Sequence, residues 1–142
     1  MDYLHTAVEL PGVTPAEALR TFTDATAVSG WWRGQLTFEP HPGGRYQVDF
    51  SQLGSALTGR VVDYDPAIRL VFTWQWDGTG PTYQVAVTPE EVEDGSRLRI
   101  THGPYSDSAE DLEERKSHED GWAFFLPRLA AQAASVAGDE PA

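Results

Sequence analysis

The stretch Arg69-Leu70-Val71-Phe72-Thr73-Trp74-Gln75-Trp76 carries a large apolar side chain at every second position. That period places Leu70, Phe72, Trp74 and Trp76 on one face of an extended strand. Val71, Thr73 and Gln75 take the other face. So many large apolar side chains on one side need a cover. They pack against a solid core or around a cavity that a ligand fills, and the choice between the two is the functional question.

Strand signals continue on both sides. Upstream, Gln35 to Glu39 holds Leu36 and Phe38 on one face, and Pro40-His41-Pro42-Gly43-Gly44 is turn chemistry. Arg45 to Phe50 brings Tyr46, Val48 and Phe50 together. Leu57 to Asp65 reads as one strand, with Gly59 inside it as the sign of a bulge or sharp bend. Downstream, Asp77-Gly78-Thr79-Gly80-Pro81 reads as a loop, and Tyr83, Val85 and Val87 mark the next strand. Glu93-Asp94-Gly95-Ser96 is a hairpin turn. Leu98, Ile100 and His102 share a face of the last strand, with His102 at its end. Short turns between successive strands imply an antiparallel meander.

Helical patterns flank the strands. Tyr3 to Leu10 suits a first strand, closed by Pro11-Gly12. Thr14, Pro15 and Glu17 form the start of a helix with a capping box. Asp24 caps a second short helix through Ser29, ended by Gly30. Trp31-Trp32 then reads as a core plug between the short helices and the sheet, with one of the pair at a cavity entrance as the lesser alternative. In the last third the period changes. Ser108 or Asp107 caps a helix whose first turn is rich in acids, where the helix dipole favours them. Trp122, Phe125, Leu126, Leu129, Ala133 and Val136 recur at three to four residues and make one apolar face. Pro127 falls inside that face and is expected to kink the helix. The expected order is strand, two short helices, six strands and one long helix, an α+β two-layer sandwich. It occupies residues 1–136 as one domain, with a disordered tail over 137–142.

Composition excludes several classes. The chain has 142 residues and no cysteine, which removes thiol catalysis, thiolate metal sites and disulfides, and suits a reducing compartment. No basic stretch followed by an apolar run opens it, and no apolar segment reaches about 18 residues. A soluble cytoplasmic protein is expected. Ten Lys and Arg stand against 22 Asp and Glu, a formal net charge of -12. Such a surface repels phosphate backbones and anionic lipid, so neither nucleic acid nor membrane is an expected partner. There is no G-x-S-x-G, P-loop or dinucleotide fingerprint, and no histidine pair has the spacing of a helical metal site. No metal and no cofactor is expected.

Several segments, in order, carry a family resemblance. They are Pro15-Ala16-Glu17-Ala18-Leu19 with Phe22-Thr23-Asp24, then Trp31-Trp32, Pro42-Gly43-Gly44-Arg45-Tyr46 and Gly59-Arg60-Val61. Arg69 to Trp74, Ser96 to His102 and His118-Glu119-Asp120-Gly121-Trp122 complete the set. Together they resemble the helix-grip fold of the START and birch-pollen-allergen (SRPBCC) superfamily. The branch they are most similar to is the activator of the heat-shock-protein-ninety ATPase. The resemblance implies a curved antiparallel sheet around a long C-terminal helix, with a cavity between them. This fold hosts ligand carriers, polyketide cyclases, resistance proteins and cochaperones, so it does not by itself assign a function.

Strand parity then supplies the cavity lining: Tyr46, Val48, Phe50, Phe72, Trp74, Tyr83, Val85, Leu98 and Ile100. The helix supplies Trp122, Phe125, Leu126 and Leu129. The plain alternative is that these side chains fill the space themselves. Trp74, Tyr46, Tyr83 and His102 stand apart because each joins an apolar body to a polar tip. His102 is the best catalytic candidate, set against a structural role as a hydrogen-bonded strand residue. His118 reads as a helix-surface residue. The expected function is binding of a small hydrophobic or aromatic molecule in this cavity. One alternative is a cofactor-free polyketide cyclase or aromatase using His102. Another is a cochaperone-like module that docks a chaperone through the convex sheet face of Arg45, Gln47, Asp49, Val71, Thr73, Gln75, Arg97 and Arg99.

Overall fold

Thr14 and Asp24 start the two short helices as the sequence predicts. In the computed structural model, which describes residues 2–138 and side chains as far as 135, the Thr14 hydroxyl accepts the Glu17 N–H. The Glu17 carboxylate accepts the Thr14 N–H at 2.9 Å. This box opens α1 (Pro15–Thr23). Asp24 caps α2 (Ala25–Trp31), which runs past Gly30 and takes in Trp31. The first strand, β1 (Asp2–Pro11), precedes them. After them come β2 (Gln35–Phe38), β3 (Tyr46–Phe50), β4 (Ser55–Thr58) and β5 (Val61–Asp65). Then follow β6 (Arg69–Trp76), β7 (Thr79–Val92), β8 (Gly95–Tyr105) and the long α3 (Ala109–Gly138). Ala137 and Gly138 thus belong to the helix, and the rest of the expected tail lies outside the described residues.

All eight strands join one antiparallel sheet in the order β1-β8-β7-β6-β4-β3-β2, with β5 also on β6. Seven strands follow α2 where six were expected, because Leu57 to Asp65 is broken at Gly59-Arg60. The cause is a close approach. The Gly59 backbone lies against the Thr73 carbonyl oxygen, with no room for a Cβ. The chain jogs there, so that β4 pairs with the end of β6 (Leu57 opposite Trp76) and β5 with its beginning (Asp65 opposite Arg69). The Thr73 N–H bridges the break by donating to the Arg60 carbonyl at 2.9 Å. The loop after β6 is also shorter than expected. Asp77 and Gly78, at φ 53° and 70°, turn the chain alone, the geometry of a two-residue hairpin. β8 runs three residues beyond His102, which therefore lies within the strand, opposite Leu4 and Val85.

The face that parity assigned inward is buried: Leu70, Phe72 and Trp74 in β6, Tyr46, Val48 and Phe50 in β3, Leu98, Ile100 and His102 in β8. α3 covers it with Trp122, Leu126, Leu129 and Ala133, and with the half-buried Phe125. Pro127 is exposed, so it does not belong to that face. It stands one residue, about 100°, around the helix from Leu126. The side chain of Val136 lies outside the described residues. Trp31 fills the gap between the short helices and the sheet; its indole N–H donates to the Thr21 carbonyl at 2.7 Å. Trp32 stacks on it with ring centres 4.7 Å apart.

Gly59→Ala forces the β4–β5 jog apart. It is expected to destabilise the fold by about 2 kcal/mol, the cost of overpacking a closed site. A urea unfolding midpoint equal to the wild type would contradict this account of the break.

Candidate functional site

Between sheet and α3 the interior has a filled half and an open half. In the filled half Tyr46 stacks on Phe72 with ring centres 4.0 Å apart, and its hydroxyl donates to the Phe22 carbonyl at 2.7 Å. Tyr83 donates to Asp111 Oδ1 at 2.7 Å, and the other carboxylate oxygen accepts the Ser106 N–H, also at 2.7 Å. Asp111 so ties β7 and the end of β8 to the start of α3. Both tyrosine tips are therefore satisfied inside the protein. Val48, Phe72, Val85, Leu98, Ile100, Leu126 and Leu129 pack around them.

Beyond Trp74 the filling stops. A groove of about 470 Å³ opens there, a volume suited to a small molecule. Phe50, Trp74 and Trp76 line it from the sheet, Trp32 from the end of α2, and Trp122 and Phe125 from α3. Trp32 sits 6.0 Å from Trp74 and 5.8 Å from Trp122, ring centre to ring centre. Leu53 and Phe124, 71% and 53% exposed, form its apolar lip. The indole N–H of Trp74 is buried and has no hydrogen-bond partner among the described residues.

Four of the residues assigned to the cavity from sequence, Phe50, Trp74, Trp122 and Phe125, meet in this groove. Tyr46, Val48, Phe72, Tyr83, Val85, Leu98, Ile100, His102, Leu126 and Leu129 do not line it. They are on the correct face but farther along it, where side chains close the gap. Sequence reasoning missed Arg33, Gln52, Leu53, Ser117, His118, Gly121, Phe124 and Arg128 on the groove walls, left Trp76 out of the lining, and ranked Trp32 there second. One signal was available. His118 precedes Trp122 by one helical turn and so shares its face.

His118 is in fact 5% exposed, and its ring stacks on that of His102 at 4.1 Å. This corrects its reading as a surface residue. The Trp122 indole donates to His102 Nδ1 at 3.1 Å, which fixes the His102 proton on Nε2. The Tyr105 hydroxyl and His118 Nδ1 share a hydrogen bond of 2.7 Å. His118 Nε2 lies 3.4 Å from Glu114 Oε2, short of a hydrogen bond.

Residues 13–134 match the family described as Activator of Hsp90 ATPase homolog 1-like protein. The chain belongs to this family. No curated protein matches it in sequence. Among solved structures it is similar to DynU16, a protein of the dynemicin biosynthetic locus, at 27% identity and a TM-score of 0.77. That likeness covers 92% of this chain but 46% of DynU16, so the chain spans about half of that relative's length. It shares its fold with MLL2253 from Mesorhizobium loti (19% identity, TM-score 0.80, 94% and 97% of the two chains). The same holds for PFC0360w, an HSP90 activator from Plasmodium falciparum (22% identity, TM-score 0.71, 91% and 94%). The helix-grip architecture and the family resemblance read from the sequence both stand. Among the described residues no helix of this family member is long and apolar enough to cross a membrane.

The two histidines of this Hsp90-activator homologue are held neutral. Burial, reinforced by the neighbouring His118, pushes His102 down to about 2. Burial alone pushes His118 down to about 4. Burial therefore keeps the His102 ring neutral around neutral pH. In the unfolded chain both groups return to about 6.5. Below that pH the unfolded state binds more protons than the folded one, so stability falls as pH falls. Each histidine contributes a slope of about 1.4 kcal/mol per pH unit between the unfolded value and its folded one. His118→Gln is expected to halve the pH dependence of unfolding free energy between pH 6.5 and 5. Urea titrations of wild type and variant with parallel slopes in that window would contradict the assignment.

Proposed function

We propose that this chain binds a small hydrophobic or aromatic molecule in the groove between the open end of the sheet and α3. The observation that carries the reading is Gly121. It lies inside α3 on the groove wall, and a Cβ built there meets nothing within 4 Å. A mid-helix glycine costs about 1 kcal/mol relative to alanine, and packing does not require this one. What it gains is open space on the groove wall beside Trp122. The flat rings of Trp32, Trp74 and Trp122 suit a planar body. The lack of cysteine agrees with action in the cytoplasm.

A second reading is cofactor-free proton-transfer catalysis on a polyketide-like substrate. It draws on His118, a neutral imidazole on the groove wall backed by Tyr105. In this reading His118 replaces the deeper His102 as the proton acceptor. A turnover assay that finds His118→Gln as active as wild type would dismiss it. A cochaperone role has weaker footing. On the convex face Arg97 pairs with Glu9 and Glu90, and Arg99 with Glu90, so much of the charge is spent within the sheet.

Gly121→Leu fills the groove without a backbone clash, and the helix should gain up to about 1 kcal/mol. In the wild type, a ligand at 100 times its Kd raises stability by about 2.7 kcal/mol in a thermal-shift screen of aromatic compounds and fatty acids. The leucine variant is expected to keep its fold and lose that shift. An equal shift in both proteins, or none with either ligand class, would refute the proposal.

A further inference from the structure

The groove is opposite in charge to the molecule as a whole. The chain has 22 Asp and Glu against ten Lys and Arg, yet no carboxylate lines the groove, and two arginines do. Among the described residues Arg33 and Arg128 form no ion pair, as is also true of Arg20, Arg45 and Arg60, so neither charge is neutralised by a carboxylate of the protein. What sets these two apart is that both stand on one apolar groove.

Each is also placed with some care. Arg33 follows the end of α2 in a left-handed conformation, φ 61°, which side-chain-bearing residues seldom adopt. Glycine is the usual residue at such a helix end, and Gly34 is the next residue along. The sequence nevertheless puts arginine in the strained position, where it reaches the groove. Arg128 is steadied rather than consumed. Its guanidinium lies 3.7 Å from the Phe124 ring centre, and one N–H donates to the Phe124 carbonyl at 2.7 Å. A guanidinium has five N–H donors, so most of them stay free. Both arginines are exposed while Trp32, Trp74 and Trp122 behind them are buried. The groove thus runs from an apolar interior to a cationic mouth.

We propose that the ligand is an amphipathic anion: an apolar, preferably aromatic, body against the tryptophans, with a carboxylate head held by Arg33 and Arg128. The inference rests on the groove being a ligand site, and the lining selects the rest. Rings of Trp32, Phe50, Trp74, Trp76, Trp122 and Phe125 favour a planar body over a flexible chain. Guanidinium groups match carboxylates in shape and charge.

The test is a tryptophan-fluorescence titration with matched probes. 2-Naphthoate, 2-naphthamide and 2-naphthylmethylammonium share one ring system and differ in charge, and decanoate with decanamide forms the acyl arm. At low salt naphthoate is expected to bind about tenfold more tightly than the amide, the ammonium most weakly, and decanoate less tightly than naphthoate. High salt should shrink the carboxylate's advantage. In the double variant Arg33→Gln, Arg128→Gln, naphthoate should fall to the level of the amide while the amide keeps its wild-type Kd. Equal binding of carboxylate and amide, or an advantage that survives in the double variant, overturns the anion inference and leaves the groove intact as a site. Decanoate binding more tightly than naphthoate overturns the aromatic body. Binding of no probe in either arm overturns the groove reading itself.

Discussion

The hydrogen bond from the Trp122 indole to His102 Nδ1 ties the middle of α3 to the middle of β8. Both partners are buried, so losing either would strand a polar group away from water. The bond fixes how far the helix stands from the sheet at that point. On one side the gap closes over Tyr46, Phe72 and Leu129, and on the other it leaves the groove. It also orients the His102 ring on which His118 stacks, so the chemistry of the groove wall follows from the same contact.

Much of this was legible in the sequence because it depends on neighbours in the chain. The period-two face of Arg69 to Trp76, the Thr14–Glu17 box and the Asp24 cap are local, and they stand as read. Gly59 advertised a bend, and its severity came from the Thr73 carbonyl of a strand that pairs with it from farther along the chain. The site was read only in part. Parity says which face of a strand turns inward, but not where along it the covering helix lies. Tyr46 and Tyr83 were therefore placed in a cavity although each finds its partner in the packed half, on Phe22 and Asp111. The opposite error befell His118, since a lone polar residue on a helix is usually solvated. Its place one turn before Trp122 carried the contrary message.

The fold is shared across the family, but the groove's character is set by individual residues. Gly121 keeps it open, Trp32 supplies a wall from a short helix, and Arg33 and Arg128 give its mouth a sign opposite to that of the molecule as a whole. Substitution at any of these positions would reshape the groove without removing either partner of the Trp122–His102 tie. A single scaffold can in this way serve carriers, enzymes and interaction modules.

The break between β4 and β5 has one more consequence. Leu70 to Trp76 combines strong strand preference, no charge and no proline, the signature of a segment that self-associates when its edge is free. Here β7 covers one edge, while β5 and then β4 share the other, with the Thr73 to Arg60 bond bridging their junction. Two short strands thus shield a long one that a single strand carrying the Gly59 jog would cover only in part. This aggregation-prone segment has its backbone spent before it can template another copy.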